Sequence, residues 1–175
     1  LNEVILSSYC AHWPILFEQE KAQLFSILKT LALTIEHVGS TSVPGLSAKP
    51  IIDILLVTSS LKALEAAVPE LTKIGYESRK EALNDRHYFY KKNGSVHLVH
   101  LHCLEKGAIP VEEMLAFRDY LKAFPKEKER YERLKQHLAE QYAGDRRAYT
   151  KAKAPFIQEM IGEALKFRKL LQGPK

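Results

Sequence analysis

Two neighbouring stretches carry the residues best suited to chemistry. They are Glu36-His37-Val38-Gly39-Ser40-Thr41-Ser42-Val43-Pro44-Gly45-Leu46 and Ala48-Lys49-Pro50-Ile51-Ile52-Asp53-Ile54-Leu55-Leu56. A glycine at position 39 lets backbone come close to a ligand, and the hydroxyl and N–H groups of Ser40, Thr41 and Ser42 can hold phosphate oxygens. Asp53 interrupts an otherwise aliphatic run. An ionised carboxylate in dry surroundings costs on the order of several kcal/mol unless it is paired or binds a metal. Asp53 is therefore expected at a strand end facing a cleft, or held there for a purpose. In that place it can hold a magnesium ion that bridges phosphates. Twelve residues separate it from Ser40, the length of a loop and a turn into the next strand.

Other candidates surround this pair. His100 and His102 alternate onto one face of a strand with Leu98, a spacing that can chelate zinc with His37 or Asp53; the alternative is two polar residues lining a cleft. His37 either orients the loop or touches ligand. Lys49 either neutralises phosphate or is a surface lysine. Arg118 falls on the apolar stripe of its helix and is expected to pair with an acid or reach a ligand. Tyr149 and Lys153, four residues apart, share a helix face and can close over the site. Known motifs are absent: Gly45 is followed by Leu46 rather than Lys-Ser/Thr, no GxGxxG follows a strand, and Ser40 and Ser42 lack a flanking glycine pair.

The elements that must position these residues follow from periodicity. Trp13-Pro14 opens a helix to about Thr30, with Phe17, Leu24, Phe25 and Leu28 at helical spacing. Leu33–Val38 reads as a strand ended by Gly39. Ile51–Val57, nearly all aliphatic, reads as a strand covered on both faces. Ser59-Ser60 can cap a helix to about Lys73, which Pro69 is expected to bend or shorten. Tyr76–Ser78 reads as an edge strand. His87–Lys92 and Val96–Glu105 read as a hairpin about Asn93-Gly94. After Gly107 the pattern is helical: a stripe of Val111, Met114, Leu115 and Leu121, a helix from Pro125 to Gly144, and a last helix from about Ala148 to Leu171 that Pro155 is expected to break early. The expected organisation is an α/β core over residues 1–107 and a helical extension over 108–175 packed on it as one domain.

Composition narrows the class further. The chain has 175 residues, 46% of them hydrophobic, enough for a core. A formal net charge of +5 suits a phosphate-bearing ligand; binding of nucleic acid rests on that charge alone. Cys10 and Cys103 form no metal spacing and are expected to be reduced, partly buried thiols of a cytoplasmic protein. No apolar run approaches the ~20 residues that span a bilayer. The N-terminus lacks a basic-then-apolar leader pattern, and with Leu1 first the true start is expected to be missing or replaced.

Gly39-Ser40, a spacer, then Asp53-Ile54-Leu55-Leu56 resembles the signature of the nucleotidyltransferase superfamily related to DNA polymerase beta. The fuller run from His37 to Leu46 with Ala48 to Ile54 resembles the GrpB family, supported by Tyr9 to Trp13 with Phe17, His100-Leu101-His102, Phe117 to Leu121, and Tyr149 with Lys153 and Phe156. The resemblance covers nearly the whole chain. It implies a mixed, mostly antiparallel sheet with packed helices, a phosphate-cradling role for Gly39 and Ser40, and a metal-ligand role for Asp53. Catalytic members of the superfamily carry a second carboxylate two residues after the first; here that position is Leu55. A third acid normally comes from a later strand, which here offers His100 and His102, with Glu105 near its end. The family's activity is not established, so the resemblance implies a fold and a site rather than a reaction. If the chain is an enzyme, the expected reaction is magnesium-dependent nucleotidyl transfer, with Asp53, His100 and His102 catalytic. The alternatives are a non-catalytic binding or regulatory module, or a histidine-based metal hydrolase.

Overall fold

Aliphatic and alternating segments pair into one sheet, and the helical segments cover its two faces. The computed structural model describes residues 3–78 and 86–172. Residues 1–2 and 173–175, the outer ends of the two expected parts, lie outside the described residues. The strands are β1 (Thr34–Val38), β2 (Ile52–Thr58), β3 (Glu77–Ser78), β4 (His87–Asn93) and β5 (Val96–Glu105). Their order is β1-β2-β5-β4-β3, with β2 and β5 parallel and every other pair antiparallel. The helices are α1 (His12–Leu28), α2 (Leu61–Leu64), α3 (Val68–Lys73), α4 (Ile109–Ala123), α5 (Pro125–Gln141) and α6 (Arg146–Gln172).

Alternation along the central strands sorts their side chains. Ile52, Ile54 and Leu56 of β2, with Val99, Leu101 and Cys103 of β5, pack beneath Trp13, Phe17, Leu24 and Leu28 of α1 and Leu71 of α3. On the opposite face Val38, Leu55, Val57 and Leu104 meet Val111 and Met114 of α4. Both faces of β2 are thus apolar, which explains its continuous aliphatic run. Asp53 and His100 are register partners on the second face, as are Leu55 and His102.

Three expectations need correction. The helix expected to run to Lys73 is divided by a 3-10 turn at Glu65–Ala67, because Pro69 has no N–H to donate and takes the first turn of a new helix, α3. Ser60 does cap α2, accepting from Ala63 N at 3.2 Å. Pro155 does not break the last helix: α6 continues through it. Pro155 is exposed, so the carbonyl it deprives of a partner can turn to water, while Met160 and Ala164 anchor the helix beyond it. The cysteines are not alike: Cys10 is exposed and Cys103 fully buried. No helix among the described residues is long and apolar enough to cross a membrane.

Candidate functional site

The loop between β1 and β2 is built around a tight approach. Gly39 has φ +70° and ψ −174°, and a Cβ placed on it would lie 2.5 Å from Asp53 Oδ2. Only glycine lets the loop turn there against the carboxylate. Ser40–Ser42 then form a 3-10 turn, closed by a hydrogen bond from Ser42 Oγ to the Gly39 carbonyl at 2.6 Å. The rest of the loop is gripped by the helical layer. Val43 and Leu46 are buried with Leu121, Tyr131 and Met160. Lys128 Nζ donates to the Pro44 carbonyl at 2.9 Å, Ser47 N donates to Glu132 at 3.1 Å, and Lys135 Nζ donates to the Ser47 carbonyl.

His37 holds the loop from beneath. Its Nε2 lies 3.0 Å from Thr41 Oγ1, whose own proton is directed to the Ile51 carbonyl at 3.3 Å, so Nε2–H of a neutral ring is the donor. The ring stacks on Phe17 at 4.8 Å. Burial, reinforced by Lys122 and Arg118 and opposed by Asp53, pushes the His37 pKa down to about 4. Arg118 is held by acids: it binds Glu36 at 2.7 Å and Asp119 at 2.8 Å and donates to the His37 carbonyl at 3.1 Å.

Asp53 faces β5. Its Oδ1 accepts from His100 Nδ1 at 3.0 Å, and His102 Nε2 lies 3.8 Å away. A carboxylate only accepts, so His100 carries a proton on Nδ1, and its Nε2 lies 3.1 Å from His97 Nδ1. Tyr88 packs against both His100 and His102, at 5.5 and 5.1 Å between ring centres. Burial raises the Asp53 pKa, but hydrogen bonds and charge from His100 and His102 outweigh it and hold the carboxyl below the usual carboxylate range. The acid is ionised at neutral pH.

Beside this pair opens a cavity of about 500 Å³, within the range of small-molecule sites. Ser40, Thr41, Asp53, Tyr88, His97 and His100 line it together with Lys49, Lys135, Arg146, Tyr149 and Lys153. Lys49 and Lys153 sit over the Tyr149 ring at 5.7 and 4.4 Å. Burial is the main cause that pushes Lys49, Lys135 and Lys153 down to about 8; Arg146 adds to it at Lys49, and Lys49 and Lys135 add to it at Lys153. Four cationic side chains thus converge where a polar ligand can enter. A second cavity of about 440 Å³ shares Ser40, Asp53 and Lys153 with the first and extends past Gly39 toward Glu113, Phe117 and Ile157.

The fold brings together Ser40, Thr41, Lys49, Asp53, His100 and Lys153. Gly39 borders the second cavity, whereas His37, Ser42, His102 and Arg118 lie outside the lining of the first. Lys135, Arg146 and His97 were not singled out by sequence. Lys135 had a signal: it lies four residues after Tyr131 and three before Leu138, on the buried face of α5, and its side chain is only 2% exposed. His97 had none, because the alternation that pairs Leu98 with His100 is interrupted by a register shift opposite Lys91 and Lys92. Zinc on clustered histidines finds no support: among the described residues no three His, Cys, Asp or Glu side chains are grouped to hold a metal ion.

The family model described as GrpB protein matches residues 3–163. A UPF0157 protein of Halalkalibacterium halodurans is 40% identical over 162 residues, covering 92% of this chain and 82% of the relative. The glutamate-rich protein GrpB of Alkalihalophilus pseudofirmus is 36% identical, with 93% and 96% covered. Among solved structures, the conserved protein GrpB from Enterococcus faecalis superposes with a TM-score of 0.88 at 36% identity, covering 94% of this chain and 99% of that one. The Cid1 poly(U) polymerase bound to MgATP superposes with a TM-score of 0.54 at 14% identity, over 76% of this chain and 44% of its own; this is a likeness of fold. On a nucleotidyltransferase-like mixed α/β fold, the chain belongs to the GrpB family.

Proposed function

We propose that the chain binds a nucleotide or another phosphate-bearing small molecule in the cavity beside Asp53. The observation that carries this reading is the convergence of Lys49, Lys135, Arg146 and Lys153 on the cavity that the Ser40 turn also lines. Phosphate oxygens are strong acceptors, and lysine, arginine and exposed N–H groups are their usual partners. Tyr149 adds an aromatic wall. Cid1 structures carry MgATP or MgGTP by their titles, which supports a nucleotide as the ligand.

Metal-assisted transfer of a nucleotidyl group asks for more. Two magnesium ions need at least a pair of carboxylates beside the phosphates. Asp53 supplies one. The position of its partner is Leu55, fully buried among Val38, Val57, Leu104 and Val111. The strand that should bring a third acid brings His100 and His102, nitrogen donors that magnesium disfavours. The residues present do not fit a two-ion centre, and Leu55 favours a binding or regulatory role over the full transfer reaction.

A nucleoside triphosphate is therefore expected to raise the melting temperature. At a hundredfold excess over its dissociation constant the gain of about 2.7 kcal/mol corresponds to roughly 5–10 °C for a chain of this size. Lys49→Met and Lys153→Met should each reduce the shift. A wild-type protein that responds to no nucleotide, and to no inorganic polyphosphate, would remove the proposal.

A further inference from the structure

Two smaller cavities adjoin the cationic one, and they differ at the junction. The cavity of about 440 Å³ is joined to it through Ser40, Asp53 and Lys153, and beyond them Glu113 adds a second carboxylate and Arg86 a cation. Another, of about 200 Å³, is joined through Lys49, Ile51, His97 and Arg146. Its remaining walls are Ile5, Pro50 and Val96, with Glu3 and Ser95. Small-molecule sites usually measure about 300–1,000 Å³, so this cavity suits a part of a ligand rather than a whole one.

The walls of the smaller cavity are held in place. The N-terminal stretch is bonded on either side of Ile5: Val4 N donates to the Ala143 carbonyl and Ser7 N to the Ala48 carbonyl, each at 2.9 Å. Extended chain alternates, so Val4 is buried with Leu138 and Tyr149 while Ile5 is 60% exposed. On β5 the register shift opposite Lys91 and Lys92 leaves Leu98 out of the pairing. Residues three apart on a regular strand face opposite sides; the shift lets His97 meet His100, with Nδ1 and Nε2 3.1 Å apart. Tyr90 stacks on the His97 ring at 4.7 Å. His97 is thus a fixed flat ring where the two cavities join, and Val96 beside it is 49% exposed.

We infer that the smaller cavity seats the base of a nucleoside phosphate whose phosphates lie in the cationic cavity. The inference rests on the phosphate-binding reading above and names the ligand's organic part. A phosphate chain that leaves the cationic cavity by this junction passes Lys49 and Arg146; by the other it passes ionised Asp53 and then Glu113. Like charge disfavours the second route. Ile5, Pro50 and Val96 supply apolar surface for the faces of a flat ring, and a guanidinium such as that of Arg146 stacks on one. Glu3 and Ser95 offer acceptors for ring amino groups.

Calorimetric titration of the full chain with ATP and with inorganic tripolyphosphate, magnesium present in both, tests this. ATP is expected to bind about tenfold tighter or more, the gain from burying one apolar group. Replacing Ile5→Ser and Val96→Ser together, at exposed positions that the core does not use, should abolish that preference and leave tripolyphosphate affinity unchanged. Gln158→Trp, which adds bulk to the 440 Å³ cavity from an exposed position, should alter neither affinity. ATP no tighter than tripolyphosphate, or a preference that survives the double substitution, overturns the inference and leaves the phosphate site standing. Selective loss of ATP binding in Gln158→Trp also overturns it, by placing the base in the other cavity. No heat with either ligand removes the phosphate site and the inference together.

Discussion

Gly39→Ala tests how closely the loop and Asp53 are fitted. At φ +70° and ψ −174° the backbone occupies a region essentially reserved for glycine, and a side chain there costs about 1–3 kcal/mol. The new Cβ would also lie 2.5 Å from Asp53 Oδ2 and 3.0 Å from Asp53 Cβ, so the carboxylate must move. Moving it sacrifices the hydrogen bond with His100, a charge-assisted bond worth about 1.5–3 kcal/mol. The two terms together predict a loss of about 2.5–6 kcal/mol, a large part of the stability usual for a single domain. Gly94→Ala is the control: its φ of +57° lies in the ordinary left-handed region and a Cβ meets nothing within 4 Å, so about 1–2 kcal/mol is expected. Urea denaturation followed by circular dichroism measures both. Because most of the clash is with the carboxylate, the Gly39→Ala penalty should shrink by about 2 kcal/mol in an Asp53→Ala background, leaving the backbone term. A Gly39→Ala protein no less stable than Gly94→Ala, or a penalty unchanged by removing Asp53, would refute the fitted approach.

Further perturbations test other parts of the account. Leu55→Asp, which restores the missing acid, places a carboxylate in a sealed apolar cluster and should destabilise by more than about 3 kcal/mol in denaturant titration; a soluble variant near wild-type stability would contradict the packing. His37 binds its proton less readily folded, with a pKa of about 4 against 6.5, so the unfolded chain holds more protons between those values. Stability should therefore fall as pH drops from about 6.5 to 4, by up to roughly 3 kcal/mol, and His37→Gln should flatten that window in denaturation midpoints. The depressed Asp53 carboxyl contributes stability present above its unfolded pKa and lost at still lower pH, so the two groups make the acid side steep. Lys49, Lys135 and Lys153, each pushed down to about 8, lose charge above that pH, and triphosphate affinity measured between pH 7 and 9.5 should decline through it; a flat profile would contradict their role.

Much of the architecture was legible because it depends on local pattern. The nearly all-aliphatic β2, the Asn93-Gly94 hairpin and the proline start of α5 each state their element in a few residues. The proximity of Gly39, Ser40 and Asp53 was legible for the same reason, since a short loop returning into an adjacent strand leaves them no other arrangement. What was hidden depends on tertiary placement. Arg146 stands beside the Asp145 cap of α6, far along the chain from Lys49, and nothing local shows that the helical layer carries it to the loop. Arg118 was recognised as anomalous on its helix face, but its partners Glu36 and the His37 carbonyl come from β1, more than eighty residues earlier. Proline rules misjudged Pro155 because tertiary anchoring outweighs one lost hydrogen bond on an exposed face.

The most direct test of the central claim is a crystal structure of the protein with a non-hydrolysable nucleoside triphosphate. The account predicts phosphate density between the Ser40 turn and the side chains of Lys49, Arg146 and Lys153, with Asp53 still bound to His100. A triphosphate seated elsewhere on the surface, or an unchanged cavity at a ligand concentration that shifts the melting temperature, would contradict it.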